Sequence, residues 1–188
     1  MIGLINKFLS KDENSRLFYP VFQRLRKNTE VEKIFKSISE FSEKSEVRYV
    51  GGCVRKIINQ EDVDDIDLAT NIEPKKVIEI LKKNNIEFYE TGVEHGTITA
   101  RINGQKFEIT SLREDINQQG RHTNIRYTID WKIDSQRRDF TMNSIYLSSD
   151  GTLHDYYNGQ EHLANQKLQF IGDVEKRIQE DYLRILRY

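Results

Sequence analysis

A single cysteine, Cys53, stands among 188 residues, so neither an internal disulfide nor a Cys-rich zinc site can form, which fits a reducing cytoplasm. Proline is nearly as scarce, with only Pro20 and Pro74. No apolar run approaches the roughly 18 residues that a membrane helix needs, so no membrane partner is expected. The opening MIGLINKFLSKDEN has no apolar stretch followed by a cleavage site, and no signal peptide is expected. Neither sign of charge dominates: 29 Lys and Arg against 30 Asp and Glu leave a net charge of −1. A protein that coats nucleic acid would carry a strong basic excess, whereas a catalytic domain whose RNA grip lies elsewhere need not. His95, His122, His154 and His162 show no zinc spacing, and neither a Walker loop nor a Rossmann glycine fingerprint is present.

The chain does have enough apolar material for a core. Hydrophobic residues make up 37% of it, including nine Tyr and nine Phe, against 31% charged, which reads as globular rather than disordered. Its length suits one compact unit with helical extensions at both ends. We divide it into an N-terminal extension over 1–28, a main domain over 29–172 and the start of a helical region over 173–188.

The organising stretch is Arg48 to Thr70, RYVGGCVRKIINQEDVDDIDLAT. It reads as an apolar strand from Glu46 to Val50, a Gly51-Gly52 turn, a short helix from Cys53 to Asn59, and a strand from Asp65 to Ala69. Side chains on a strand alternate faces, so Asp65 and Asp67 share one face while Ile66 and Leu68 take the other. An Asp-x-Asp alone is common, and an acidic surface loop is the plain alternative here, since Glu61, Asp62 and Asp64 lie nearby. On a strand beside a glycine turn, however, two carboxylates suit Mg²⁺ shared with a triphosphate. Gly51 and Gly52 let backbone approach an anion, or form a simple tight turn. Arg55, one turn along the helix, can reach a phosphate or pair with a surface acid.

Around this stretch, Pro20 is expected to break any helix begun at Leu4. Thr29 with Glu32 reads as a capping box for a helix whose stripe is Val31, Ile34, Phe35, Ile38 and Phe41, running to about Lys44. Pro74 suits the first position of a helix that ends at Asn84-Asn85. Ile86 to Tyr89 reads as a short strand, and Thr97–Ile102 with Lys106–Thr110 as a hairpin about Asn103-Gly104. The hairpin puts Glu108 on its polar face as a third carboxylate. Residues 113–130 read as a long mobile loop. A helix from Asp134 is expected to carry Arg137, Arg138 and Asp139, either as a plain charged face or as two guanidinium forks for phosphate or ribose oxygens and an acceptor for a ribose hydroxyl. Ser144 to Leu147 reads as a strand. A last helix from Gly172-Asp173 puts Asp181 and Arg184 three apart on one face, fit to pair with a base edge or simply with each other. It is still strongly helical at Tyr188, which leads us to expect a longer parent protein. Helices mixed with strands make this α+β with a mixed sheet.

Taken in order, these segments resemble the head domain of class II tRNA nucleotidyltransferases (CCA-adding enzymes) and the related bacterial poly(A) polymerases. The resemblance rests on GGCVR at 51–55, DDIDLAT at 64–70, HGTITARINGQKFEITSLRED at 95–115, GRHTNIRYTIDW at 120–131, RRDFTMNSIY at 137–146, DYYNGQEHL at 155–163 and EDYLRILR at 180–187. It implies a polymerase-β-like head with about five strands, flanked by helices and leading into a truncated helical neck. It implies nucleotide transfer from ATP or CTP to an RNA 3′ end, most naturally that of tRNA, with poly(A) or A-only addition as alternatives. By resemblance, Asp65 and Asp67 hold two catalytic Mg²⁺ ions and Glu108 assists. Arg137, Arg138, Asp139 and Asn143 bind the incoming nucleotide. Glu180, Asp181 and Arg184 read its base, and the flexible loop includes Arg113 and Arg121. Lys56 departs from the acid that many relatives carry there. The family's remaining neck, body and tail are missing, so a separate C-terminal RNA-binding partner, or a silent fragment of a split enzyme, is the rival expectation. A small-molecule nucleotidyltransferase is a third.

Overall fold

Val47–Val50 (β1) is buried at all four positions and Ile66–Thr70 (β2) at all but Asp67, as strands covered on both faces must be. They pair antiparallel at the middle of a seven-stranded sheet. The computed structural model describes residues 11–119 and 122–187. Glu87–Gly92 (β3), Thr97–Ile102 (β4) and Gln105–Ser111 (β5) extend the sheet on one side, in the order β3-β4-β5-β2-β1. These are the five strands of useful length. Two-residue strands complete the other edge, Tyr146–Leu147 (β8) and Leu153–His154 (β9). The β2–β5 pair is parallel and the rest antiparallel, which makes the sheet mixed and the class α+β, as expected.

The β4–β5 turn has Asn103 and Gly104 both at positive φ, 50° and 82°, the two-residue hairpin geometry that Asn-Gly favours. Gly52–Ile58 (α3) follows β1, and Pro74–Lys83 (α4) begins on its proline as anticipated. β2 starts one residue later than anticipated, which leaves Asp65 exposed just ahead of the strand.

Several expectations are corrected. Pro20 does not end a helix: it lies inside Lys11–Asn28 (α1). The local cost of an interior proline, about 3 kcal/mol, is offset because Phe18, Phe22 and Leu25 are buried in the same core as the sheet, with Phe22 edge-on to Tyr49 at 5.5 Å. Thr29 caps nothing downstream; its hydroxyl donates to the carbonyl of Leu25 at the end of α1. Glu30 is the N-cap of Val31–Ser39 (α2), and Glu32 pairs with Arg26 instead of closing a box. Phe41 falls beyond the helix and is 44% exposed, while Val31, Ile34, Phe35 and Ile38 are buried.

The expected loop over 113–130 is mostly a second sheet, Arg113–Gln119 (β6) antiparallel to His122–Tyr127 (β7). It escapes sequence detection because its few apolar residues, Ile116, Ile125 and Tyr127, are too sparse among polar ones to mark a strand pattern. Arg121 lies outside the described residues. Trp131–Gln136 (α5) begins three residues before Asp134, capped by Asp130, and stops before the arginines, so Arg137 is its C-cap. Asn158, in the left-handed conformation, precedes Gly159–Ala164 (α6). Asp173 caps Val174–Glu180 (α7) through Lys176, and the final helix is interrupted: Asp181 is extended before Leu183–Arg187 (α8). No helix among the described residues is long and apolar enough to cross a membrane.

Candidate active site

Asp67 and Glu108 are register partners on the parallel β2–β5 pair, so their side chains share one face. Ile66, Leu68, Phe107 and Ile109 turn inward and are buried, which drives the acids outward. Asp67 is half-buried; Glu108 and Asp65 are exposed. Burial pushes the Asp67 carboxyl above its ordinary pKa, Glu108 adds to the rise, Arg138 opposes it, and Asp65 contributes further.

Gly51 stands between the acids and the arginines. Its φ of 74° and ψ of −135° belong to the range that glycine alone adopts easily. A Cβ there would lie 3.8 Å from both Asp67 Oδ2 and Arg138 Nη1. Gly52 opens α3, whose Cys53, Val54 and Ile57 are buried. The Cys53 thiol donates to the carbonyl of Val50 at 3.1 Å, and burial pushes it up to about 12; it is a packing residue.

The organiser of the arginines is a residue that sequence reading passed over, Asp134. Fully buried, it accepts from Arg137 Nε at 2.8 Å, Arg138 Nη2 at 3.2 Å, the Tyr146 hydroxyl at 2.7 Å and the backbone N–H of Arg113 at 3.1 Å. Burial by itself would raise its pKa, but Arg137 and Arg138 outweigh that and, with Tyr146, hold the carboxyl well below its ordinary value. Arg138 also lies over the Tyr146 ring, 5.3 Å from the centroid. The spacing Asp134-Ser135-Gln136-Arg137-Arg138 held the signal, because residues three and four apart on a helical turn are neighbours.

Arg55 donates to the side-chain carbonyl of Asn143, and Asn143 Nδ2 donates to Asp139 Oδ1 at 3.1 Å. Asp139 Oδ1 also accepts from the Phe140 N–H at 2.8 Å. Asp139, Asn143 and Arg55 are thus joined in one hydrogen-bonded chain, while Arg137 and Arg138 meet at Asp134. Lys56 pairs instead with Asp64 at 2.7 Å. Arg113 bonds the carbonyl of His95 and pairs with Asp115 at 3.3 Å, anchoring the arm beside Asp134.

The base-reading trio is arranged differently from expectation. Glu180 ends α7 and Arg184 sits in α8, yet they form an ion pair at 2.7 Å. Asp181, between the helices, accepts from the Leu183 N–H at 3.0 Å, so Asp181 and Arg184 do not share one continuous helix face.

Among the described residues no three His, Cys, Asp or Glu form a ready metal-holding group. The donor chemistry still fits Mg²⁺. Asp65, Asp67 and Glu108 offer hard carboxylate oxygens, and the upward pull of Glu108 and Asp65 on Asp67 is the mutual repulsion that a divalent cation relieves. The remaining described histidines are engaged elsewhere: His154 with Ser148 and His162 with Thr141, each at 2.8 Å.

Residues 47–169 match the family model described as the Poly A polymerase head domain. Over 184 residues the chain is 44% identical to the human mitochondrial CCA tRNA nucleotidyltransferase 1, covering 93% of this chain and 42% of the relative. It is 37% identical to the CCA-adding enzyme of Oceanobacillus iheyensis, covering 74% and 34%. Among solved structures, the Bacillus stearothermophilus CCA-adding enzyme in complex with CTP superposes with a TM-score of 0.72 at 28% identity, covering 82% of this chain and 36% of that one. A tRNA nucleotidyltransferase complexed with a primer tRNA and an incoming ATP analog gives a TM-score of 0.65 at 25% identity, covering 82% and 42%. The chain thus spans less than half the length of these relatives.

Proposed function

The chain belongs to the poly A polymerase head domain family, and from that premise and the site geometry we propose that it is the catalytic head of an RNA nucleotidyltransferase. It adds CMP and AMP, from CTP and ATP, to an RNA 3′ end, and the CCA end of tRNA is the substrate we favour. The observation that carries this reading is the register of Asp67 with Glu108, closed off by Gly51 and Arg138. Relatives named for CCA addition, and a neighbour complexed with a primer tRNA and an ATP analog, support the choice of substrate.

Asp65 and Asp67 would hold two Mg²⁺ ions, with Glu108 assisting, and the ions would activate the 3′-hydroxyl and stabilise the departing pyrophosphate. Arg137 and Arg138, pre-aligned by Asp134, offer guanidinium forks to the triphosphate. Fixing them in advance removes the ordering cost when the nucleotide binds. Gly51 lets the backbone lie against the phosphates where a side chain would intrude. Asp139 and Asn143 serve the ribose, and Glu180, Asp181 and Arg184 read the base. The head occupies 29–172 and the neck begins at 173, and the setting is a reducing, cytoplasmic one.

A second reading is a nucleotide-binding piece that turns over only with a C-terminal RNA-binding partner. It is favoured by Tyr182 and the α8 residues that follow it, Leu183, Ile185 and Leu186, which are 68%, 46%, 52% and 82% exposed, an apolar surface that a helical partner would cover. Incubation of the purified chain with Mg²⁺, radiolabelled CTP or ATP, and tRNA lacking its terminal nucleotides separates the two. Incorporation supports the head acting alone; nucleotide binding without incorporation supports the silent piece.

A further inference from the structure

Arg177 belongs to none of the segments assigned above, yet its side chain joins two of them. It lies in α7, three residues before Glu180, and is only 9% exposed. Its Nη2 donates to the carbonyl of Arg137 at 2.5 Å and also to the carbonyl of Arg138. Its Nη1 donates to Glu180 Oε2 at 2.6 Å, and that same oxygen accepts from Arg184 Nη1 at 2.7 Å. The loop closes on the backbone, where the carbonyl of Arg177 accepts from Arg184 Nη1 at 2.6 Å.

A buried guanidinium is expensive unless its donors are satisfied; here the two terminal nitrogens find acceptors on two separate elements, while Nε has no partner among the described residues. The carbonyls of Arg137 and Arg138 follow the end of α5, where backbone acceptors lose their helical partners and a cation is favoured. The carboxylate of Glu180 is the other anchor. A lysine would carry the charge but not the planar fork that spans all three acceptors.

We propose that Arg177 is a positioning residue that ties the Glu180–Asp181–Arg184 segment to the backbone of Arg137 and Arg138. It thereby sets the distance between base reading and triphosphate binding. This rests on the nucleotidyltransferase reading of both segments. The chain binds triphosphate through Arg137 and Arg138 whether or not Arg177 is present, but it recognises the base above that triphosphate only while Arg177 holds α7 and α8 in place.

The test uses the whole chain in Mg²⁺, as wild type, Arg177→Lys, Arg177→Ala and Glu180→Gln, with unfolding midpoints recorded for each. Calorimetry measures binding of CTP, ATP, UTP, GTP and inorganic tripolyphosphate. Wild type is expected to prefer CTP and ATP. In the Arg177 variants that preference falls by about tenfold or more while tripolyphosphate binding holds. Glu180→Gln, which removes a base-reading carboxylate as well as the link, lowers the preference at least as far, and adding Arg177→Lys to it lowers the preference no further. An intact preference in folded Arg177→Lys overturns the coupling alone. So does an equal loss of tripolyphosphate binding, which marks Arg177 as mere support for α5. A wild type that binds no triphosphate, or binds all four without preference, overturns the functional reading and this proposal with it.

Discussion

Asp134 and Tyr146 are joined by a 2.7 Å hydrogen bond in the interior, and Asp134 in turn holds both Arg137 and Arg138. Tyr146 comes from β8 and Asp134 from α5, so the bond ties the helix that precedes the arginines to the sheet. The Arg138 guanidinium is held by both partners, over the ring of one and against the carboxylate of the other.

Removing that carboxylate leaves two arginines without their shared partner. Asp134→Asn is expected to cost about 3 kcal/mol of folding stability, typical of breaking a buried ion pair, and to weaken triphosphate binding. Urea denaturation and nucleotide titration check the two effects. The pH dependence follows from the sign of the shift. The folded-state pKa of Asp134 is depressed, so its stabilisation is complete above the unfolded value, about 3.9, and is lost as pH falls through that value towards the folded one. Acid unfolding of Asp134→Asn should lack this component.

Gly51→Ala tests the left-handed turn. A side chain at φ 74°, ψ −135° is strained by about 1–3 kcal/mol, and its Cβ would stand against Asp67 and Arg138. We expect a lowered unfolding midpoint together with weakened binding of Mg²⁺–nucleotide. An alanine variant that binds nucleotide as the wild type does would remove Gly51 from the site.

Mg²⁺ binding should depend on pH above the usual carboxylate range. Asp67 is raised by burial and by Glu108, so it gives up its proton at a higher pH than an ordinary Asp, and affinity climbs as that proton leaves. Because a raised carboxyl favours the protonated form in the folded state, ionising it lowers stability, and bound Mg²⁺ should restore it. Unfolding midpoints with and without Mg²⁺ across this range measure both. Glu108→Gln should move the pH dependence downward by removing one of the charges that raises Asp67.

Much of this site could be read from the sequence because its parts obey local rules. Asp67 and Glu108 were placed by alternation along strands whose other faces are apolar, Pro74 and Asn103-Gly104 by backbone preference. What escaped was tertiary. Pro20 sits inside α1 because Phe18 and Phe22 are held by the core, a contact with no local trace. The arm of β6 and β7 carries too few apolar residues to announce itself as a pair of strands. Asp181 breaks the last helix although its neighbours are good helix formers. Asp134 and Arg177 do their work through partners from other elements, Tyr146 and the carbonyls of Arg137 and Arg138, and only the i+3 and i+4 spacing of Asp134 to the arginines hinted at either.

The central claim is that Asp65 and Asp67 form the metal end of a nucleotidyl-transfer site, and a nucleotide-incorporation assay tests it most directly. Wild type and the double variant Asp65→Ala plus Asp67→Ala are given Mg²⁺, labelled CTP and ATP, and tRNA lacking its 3′-terminal nucleotides, with unfolding midpoints showing that both chains are folded. Incorporation by the wild type that disappears in the double variant is the predicted result. Incorporation that survives the loss of both carboxylates would contradict the account.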